Sequence, residues 1–211
     1  MGDSTEIRPD LAMAQGYIQI WDNNPRFDAE AKAVAWLFRD IFPQNIDINH
    51  ILTKVGLINS VYHTHIYDLH KSAERILGVR DIDARLHMGC LDIVAEIAGS
   101  HASNHGNYSF ATKYCYNSNI TAFPIFDSRV SAVLSHSRNN FGTPTYANSD
   151  LYRYDQFLCV LANFKTTFGL NGLSITETDK FLWLFGDELI RRKKDNGHAL
   201  RRHRARSSPR L

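Results

Sequence analysis

One acidic residue stands in a context that suits chemistry. Asp127 follows the apolar loop FPIF (residues 123–126) and precedes the run SRVSAVL, whose apolar residues recur at helical spacing. Two interpretations are open. Asp127 is an N-cap that accepts hydrogen bonds from the first amides of a helix, or it is a partly desolvated catalytic carboxylate held on rigid structure. Spacing alone favours the cap.

The segment that contains Asp127 carries a family resemblance. From Gly106 to Leu134 the sequence resembles the helix-hairpin-helix DNA glycosylases, the superfamily of endonuclease III. In that superfamily a glycine hairpin opens one helix, and a loop delivers an essential aspartate to the next helix. Gly106 matches the second hairpin glycine and Asp127 matches the aspartate, while Ser109 and Phe110 stand where Thr-Ala is usual. Counted from the hairpin segment that begins at Gly99, the match covers about 35 of the 211 residues.

Two departures from the family pattern shape what the resemblance implies. The first hairpin glycine is missing, and Tyr108 occupies the position where lyase-active members carry their lysine nucleophile. A Schiff base at that position is impossible, so the resemblance implies a monofunctional glycosylase that leaves an abasic site. Lys113 is the residue best placed to overturn this expectation, although five positions along a helix amount to about 7.5 Å of rise.

The resemblance also implies how the residues act on double-stranded DNA. The base leaves the stack, Asp127 stabilises the positive charge that develops on the sugar, and the same carboxylate orients or deprotonates the attacking water. Hairpin amides would bind a phosphate. The expected DNA-binding residues are Ser103, Asn104, His105, Gly106, Asn107, Lys113 and Arg129. The candidates for the base pocket are Asn59, Tyr62, His63, Tyr108 and Phe110, with Trp21 as a further aromatic residue available for stacking.

Each of these assignments has a structural alternative. Asn59, Tyr62 and His63 also suit helix caps or half-buried helix positions, Lys113 suits a solvated helix face, and aromatic residues more often belong to a core. For the substrate, one hypothesis is a bulky modified base, such as glucosylated hydroxymethylcytosine in phage DNA, removed in antiviral defence. The alternative is ordinary base-excision repair of damaged or mismatched bases.

Two functions of other classes remain open. A non-catalytic helix-hairpin-helix DNA-binding module would use Asp127 only as a cap. A helical interaction protein unrelated to the glycosylases would leave Asp127 facing solvent at a helix end. Fold class alone does not decide between them and the enzyme.

Charge is distributed unevenly along the chain. The residues from 191 onward hold nine Lys or Arg and one acid, a net charge of +8, which leaves residues 1–190 at −6 within the total of +2. We therefore expect one helical domain at residues 1–190, with its hairpin motif at about 88–117 and its catalytic loop at 123–128, followed by a basic tail at 191–211. The tail either attracts DNA phosphates or is a solubilising extension.

Composition excludes several classes of protein. No apolar run approaches the ~20 residues that span a bilayer, so no membrane is expected. Three scattered cysteines, Cys90, Cys115 and Cys159, predict a reduced, cytoplasmic protein and do not suffice for an iron–sulfur cluster. No metal site and no cofactor are predicted, and the expected state is a monomer.

Helical periodicity without any sustained alternation predicts an all-α fold of about eight helices, as one compact unit or two closely packed lobes. The pattern predicts helices over 28–42, 45–57, 59–77 and 83–98, two around the hairpin and Asp127, and two more over 150–168 and from Ser174 onward. A break is expected at Gly56, and a polar loop at 135–150.

Overall fold

The structure is a computed structural model that describes residues 6–99 and 107–207, with the backbone alone from 196 onward. The predicted all-α class is confirmed, since these residues form ten α-helices and no strand. The helices are α1 (Leu11–Asp22), α2 (Pro25–Trp36), α3 (Ile48–Tyr62), α4 (Leu69–Leu77), α5 (Ile82–Met88), α6 (Ile93–Ala98), α7 (Tyr108–Ser118), α8 (Ser128–Phe141), α9 (Tyr154–Thr167) and α10 (Ile175–Ser207). A π-helical turn (Leu37–Ile41) extends α2, and a 3₁₀ turn (Asn148–Tyr152) precedes α9.

The centre of the fold is α7. Nine of its eleven residues are buried, which is the behaviour of a helix enclosed on all sides. It contacts α3, α5, α6 and the π-helical turn. Apolar residues from α1 through α10 form one continuous hydrophobic cluster around it. A polar or charged side chain on α7 is therefore held within the protein interior.

Short polar side chains fix where the helices begin. Asp10, Asn24, Asp47 and Asp127 each accept hydrogen bonds from amides of the first turn of the following helix. At α10 the predicted start signal is confirmed, because the Ser174 hydroxyl and the Glu177 carboxylate form a reciprocal capping box. These caps satisfy amides that have no partner inside the helix.

Two predicted boundaries in the first half are wrong. Gly56 does not break a helix, since α3 continues through it to Tyr62. The break follows His63, which adopts the left-handed conformation (φ 49°), and Asn59 bridges it by accepting the Ile66 amide. The helix predicted over 83–98 is instead divided by Gly89, whose φ of 71° ends α5.

Two predictions in the second half are also corrected. The loop expected at 135–150 is mostly ordered, because α8 extends to Phe141 and a 3₁₀ turn begins at Asn148. Arg138 stabilises this region by donating to the Tyr146 carbonyl and to the Asn148 side chain. The segment from 191 onward does not begin as a separate tail, since its first 17 residues, through Ser207, belong to α10.

A close approach between backbones joins α8 and α10. A Cβ added at Gly186 would lie 2.4 Å from the carbonyl oxygen of Arg129 and 2.8 Å from its Cα. Backbone atoms of a helix have no room to move, so this contact requires glycine. It fixes α10, which lines the cavity described below, against the first turn of α8, next to Asp127.

Replacing this glycine is expected to destabilise the fold. Gly186→Ala forces α8 and α10 apart and lowers the free energy of unfolding by about 1–3 kcal/mol, the usual range for overpacking. Gly56→Ala is the matched control, because nothing lies within 4 Å of an added Cβ there. That control gains about 1 kcal/mol from helix propensity. Urea denaturation of the two variants measures both effects, and equal stabilisation of both contradicts the assigned close contact.

Candidate active site

A cavity of about 250 Å³ lies between α1, α2, α3, α7 and α10. Its wall combines aromatic rings, two carboxylates, basic side chains and neutral polar groups. The lining includes Trp21, Arg39, Tyr62, Lys113, Tyr116, Asn117, Asp127, Thr176, Asp179, Lys180 and Trp183. Lys32 also contributes to the wall, and because its side chain is 75% exposed, the cavity opens to solvent there. A cavity of ~150 Å³ holds benzene, so this volume accommodates a nucleobase.

A buried ion pair forms the inner wall. The Lys113 ammonium, on α7, lies 3.3 Å from Oδ2 of Asp127 and donates to the Ser109 hydroxyl at 2.7 Å. The two side chains are 3% and 8% exposed. The Lys113 Nζ also lies 5.8 Å from the centroid of the Tyr62 ring, a cation–π distance. Both charged groups border the cavity, so a bound molecule meets them directly.

Asp127 is both a helix cap and part of the cavity wall. Its Oδ1 accepts hydrogen bonds from the amides of Arg129 at 2.9 Å and Val130 at 3.1 Å, while Oδ2 faces Lys113. The two interpretations of this residue from the sequence are thus compatible. The solvent-facing Asp127 expected of an unrelated interaction protein differs from the structure, since the residue is only 7% exposed.

The loop that carries Asp127 is tied to α7 by Thr112. The Thr112 hydroxyl accepts a hydrogen bond from the Phe126 amide at 3.1 Å, and its proton is within reach of the carbonyl oxygens of Ser109 (2.9 Å) and Phe126 (3.2 Å). Tyr154 adds a hydrogen bond to the Pro124 carbonyl at 2.8 Å. These bonds hold the carboxylate on the same rigid frame as Lys113.

The environment keeps Asp127 ionised. Burial raises the pKa of this carboxyl. The Lys113 ammonium, the Val130 amide and the Arg129 guanidinium together lower the pKa by more than burial raises it, so it lies below the ordinary value. A carboxylate with these partners carries its negative charge throughout the neutral range. The cavity therefore presents a fixed anion beside a fixed cation.

A second carboxyl in the cavity has the opposite character. Asp179 lies on α10, and in the part of the chain that the structure describes no hydrogen-bond donor or ion-pair partner engages it. Burial and the nearby charge of Asp127 raise the pKa of Asp179 to about 7, against the opposing charges of Lys113 and Lys180. Two carboxyls of one cavity are thus separated in protonation by their surroundings, a pattern typical of acid–base sites.

The structure brings together part of the predicted base pocket. Tyr62 and Trp21 line the cavity, and the Tyr62 hydroxyl accepts a hydrogen bond from Asn117 at 3.2 Å. Asn59 does not reach the cavity, because its side chain bridges the chain to Thr64 and Ile66. His63 is the exposed residue that ends α3. Both adopt the structural alternative rather than the pocket role.

The two aromatic candidates on α7 also lie away from this cavity. Phe110 is 1% exposed and packs in the core, with its ring centroid 5.9 Å from that of Tyr114. Tyr108 packs against Phe126 and borders a second cavity of about 300 Å³ on the other side of Asp127. Neither residue lines the cavity that contains Lys113, so their assignment to that pocket differs from the structure, although Asp127 also borders the cavity beside Tyr108.

The predicted DNA-binding residues divide into three groups. Ser103, Asn104, His105 and Gly106 lie outside the described residues, whereas Asn107 precedes α7. Arg129 stacks over the Trp183 ring at 4.3 Å and pairs with Asp187, so its guanidinium is engaged within the protein. Lys113 is buried in the ion pair, which corrects the expectation of a phosphate contact or a solvated position.

Sequence reasoning missed Arg39, Asp179 and Trp183. Each lies on a helix whose apolar residues follow the expected spacing, and nothing in the local sequence distinguishes it from a solvated or core position. Only tertiary packing, of the π-helical turn against α7 and of α10 against α1 and α8, brings the three to one cavity. Among the residues with described side chains, no cluster of three or more metal-ligating side chains occurs, and no helix of that part of the chain is long and apolar enough to cross a membrane.

Comparison with known proteins gives a family but no activity. The family model HI_0787_N, described as an N-terminal domain, matches residues 13–122. An uncharacterised protein of Haemophilus influenzae is 35% identical over 150 residues, which cover 70% of this chain and 72% of that protein. No solved structure matches the chain. The matched domain contains Lys113 but ends before Asp127 and Asp179, so the cavity also draws on the residues that follow it.

The raised pKa of Asp179 predicts a pH dependence of stability. In the unfolded chain this carboxyl ionises near its ordinary pKa of 3.8, whereas in the folded protein it does so at about 7. The folded state therefore binds the extra proton between these values, and its stability falls as pH rises from about 4 to about 7. In Asp179→Asn this loss is absent. We expect the variant to gain on the order of 1–3 kcal/mol over wild type between pH 4.5 and 8.

Guanidinium denaturation at pH 4.5, 6, 7 and 8 measures this difference. Asp92→Asn is the control, because that exposed aspartate pairs with Arg85, which keeps Glu96 as a partner. A difference between Asp179→Asn and wild type that stays constant across this range would show that Asp179 titrates normally.

Proposed function

We propose that this chain, which belongs to the family defined by the HI_0787_N N-terminal domain, is a DNA glycosylase that acts through Asp127. The observation that carries the proposal is an ionised, rigidly held carboxylate paired with Lys113 at the wall of a cavity of nucleobase size. It acts on double-stranded DNA from which one base has been flipped, as a monomer in the cytoplasm. It hydrolyses the N-glycosidic bond and leaves an abasic site.

The chemistry requires a fixed negative charge. When the C1′–N bond breaks, the sugar develops an oxocarbenium-like positive charge, which an adjacent carboxylate stabilises most strongly if it is oriented beforehand in a water-poor site. Oδ1 of Asp127 is fixed by two amides of α8, so only small motions are open to the carboxylate. Its low pKa keeps it ionised, and the same group receives a proton from the attacking water.

The cavity wall suits a flipped base. Trp21, Tyr62 and Trp183 provide ring faces and edges, and the indole of Trp183 is itself held between Phe27 and the Arg129 guanidinium. Stacking on such rings offsets part of the cost of removing the base from the duplex, which is a few kcal/mol. Asn117 and Thr176 supply polar groups for the base edge.

Positive charge at the cavity mouth favours a nucleic acid as the partner. Lys32, Arg39 and Lys180 all border the cavity. Lys180 is paired with Asp22, and Lys32 with Asp28. Farther along α10, Arg191 and Arg192 pair with Asp187 and Glu188, while Lys193 and Lys194 are exposed. Phosphates on either side of a flipped nucleotide would meet these cations.

The size of the cavity favours a base without a large substituent. About 250 Å³ accommodates one or two fused rings, whereas a glucosylated hydroxymethylcytosine would extend through the opening near Lys32. We therefore place repair of damaged or mismatched bases ahead of removal of bulky phage-type bases in antiviral defence. A DNA-binding module without chemistry remains the alternative that the following experiment excludes or establishes.

Asp127→Asn is expected to abolish base excision while DNA binding persists. The amide keeps the helix cap but cannot stabilise the cationic sugar, and we expect a loss of at least 10²-fold in rate. Abasic sites are scored by alkali-dependent strand cleavage on duplexes that carry single damaged, mismatched or glucosylated bases. Binding is followed on the same duplexes.

The matched control is Asp47→Asn. Asp47 caps α3 with the same geometry, accepting from two amides at 2.8 and 3.1 Å, but it is not part of the cavity wall. Its variant should retain full activity. If wild type and Asp127→Asn are equally inactive on every duplex and both bind DNA, the protein is the binding module instead.

The position of Lys113 favours a second candidate, a glycosylase that also cleaves the strand by lyase chemistry. Its Nζ borders the cavity next to Asp127, although Tyr108 takes the position of the family's lysine. Our proposal keeps the monofunctional reaction, because the ammonium is engaged by the Asp127 carboxylate and the Ser109 hydroxyl. A Schiff base needs a free amine.

Borohydride trapping separates the two candidates. With wild type and a duplex containing an abasic site, the monofunctional reaction yields no covalent complex. A complex formed by wild type and lost in Lys113→Gln, but kept in Lys71→Gln, would assign the lyase reaction to Lys113. Lys71 is the control because it is an exposed lysine on α4 that does not line the cavity.

A further inference from the structure

The feature that the proposed reaction leaves unused is the Asp179 carboxyl. It lies on α10, one turn before Trp183, and borders the same cavity as the Lys113–Asp127 pair. No donor or cation in the described part of the chain binds this carboxyl. By contrast, Asp22 pairs with Lys180, and Asp127 accepts a hydrogen bond from the Arg129 amide. A half-buried carboxyl that lines a cavity without a partner is costly unless it is neutral or meets a ligand.

The groups that face Asp179 come from every wall of the cavity. Asp127 and Lys113 lie on the inner wall, Tyr62 on α3 and Tyr116 on α7 lie beside them, and Arg39 lies on the π-helical turn. Lys180 is adjacent on α10 but is held by Asp22 at 2.5 Å. Tyr116 donates to Thr176 at 3.1 Å, and its pKa is raised to about 12 by burial and then by Asp179. Burial also raises the pKa of Tyr62, so neither tyrosine competes with the carboxyl as an acid near neutral pH.

We infer that Asp179 is the general acid of this site, which donates its proton to the departing base, and that the substrates are bases that are uncharged in the intact nucleotide. This inference rests on the proposed glycosylase function. The two carboxyls then take opposite roles, since Asp127 serves the sugar and Asp179 serves the base. The lowered pKa of Asp127 keeps it ionised at neutral pH, whereas the raised pKa of Asp179 allows it to hold a proton there, and these states suit the two roles.

The reaction balances with water as the only co-reactant. The C1′–N bond breaks, its electron pair passes to the base, and the Asp179 O–H proton goes to a nitrogen or carbonyl oxygen of that base. A water oxygen then bonds to C1′, and one of its protons passes to Asp127. Proton exchange through solvent restores both carboxyls, and the products are the abasic sugar and the neutral base.

The nature of the leaving base decides whether such an acid matters. A base such as uracil, hypoxanthine or 8-oxoguanine is neutral in the nucleotide and would depart as an anion unless it receives a proton. A base such as 7-methylguanine already carries a positive charge and departs neutral without one. General acid catalysis contributes about 10²–10⁴-fold where a proton is needed. Its loss therefore affects the first group and spares the second.

The test compares wild type with Asp179→Asn in single-turnover excision from duplexes bearing uracil, hypoxanthine, 8-oxoguanine or 7-methylguanine, between pH 5.5 and 9. We expect wild type to excise at least one neutral base at a rate that falls as pH rises above about 7. The variant should lose at least 10²-fold on that base and lose the alkaline fall in its pH profile. Asp92→Asn serves as the control and should match wild type.

Other outcomes overturn the inference in separable ways. If Asp179→Asn keeps the wild-type rate and pH profile on a neutral base, Asp179 is not the acid, although the glycosylase function stands. If wild type excises 7-methylguanine alone, no acid is needed and the inference again fails. If wild type excises none of the four and Asp127→Asn behaves identically, the proposed function fails with it. Unfolding curves of each variant verify that the loss of rate does not reflect loss of fold.

Discussion

The interaction on which the site depends is the ion pair between Lys113 and Asp127. Both side chains are almost fully removed from solvent, and transfer of such charges out of water costs several kcal/mol for each ion. The attraction within the pair, the Ser109 hydroxyl and two backbone amides together offset this cost. Replacing the pair by apolar residues would often leave a protein as stable or more so. A charged pair kept in this position beside a cavity is therefore better explained by chemistry than by stability.

The surrounding architecture follows from holding that pair. Because α7 is buried along nearly its whole length, the Lys113 side chain is held away from bulk solvent. The preceding residue, Thr112, ties the Asp127 loop to the same helix. The α8 amides complete the coordination of the carboxylate. On the opposite wall, α10 is fixed against α8 at Gly186 and carries Thr176, Asp179 and Trp183 to the cavity. The α7 helix and the Asp127 loop tied to it thus place the fixed charges, and α10 supplies the facing wall.

How much of this was predictable depends on the range of the interactions. Local signals gave the all-α class, the start of α8 at Asp127 and the capping box at Ser174, since each depends on neighbours a few residues apart. The break expected at Gly56 does not occur, because that glycine lies within α3 with open space around it. The helix breaks after Tyr62 instead, where the Asn59 side chain accepts the Ile66 amide. Lys113 and Asp179 were assigned to no pocket because their meeting with Asp127 depends on tertiary packing.

The dual role of Asp127 limits what its presence reveals in related chains. A helix cap is a reason to retain an aspartate whether or not any reaction occurs, since its removal weakens α8. A relative that has lost chemistry would still have cause to keep it. Asp179 has no such structural tie in the described part of the molecule, and the charge of its half-buried carboxyl is a burden to the folded state at neutral pH. Under the proposed function, the unpartnered acid on α10 is therefore the better diagnostic of whether a family member is an enzyme.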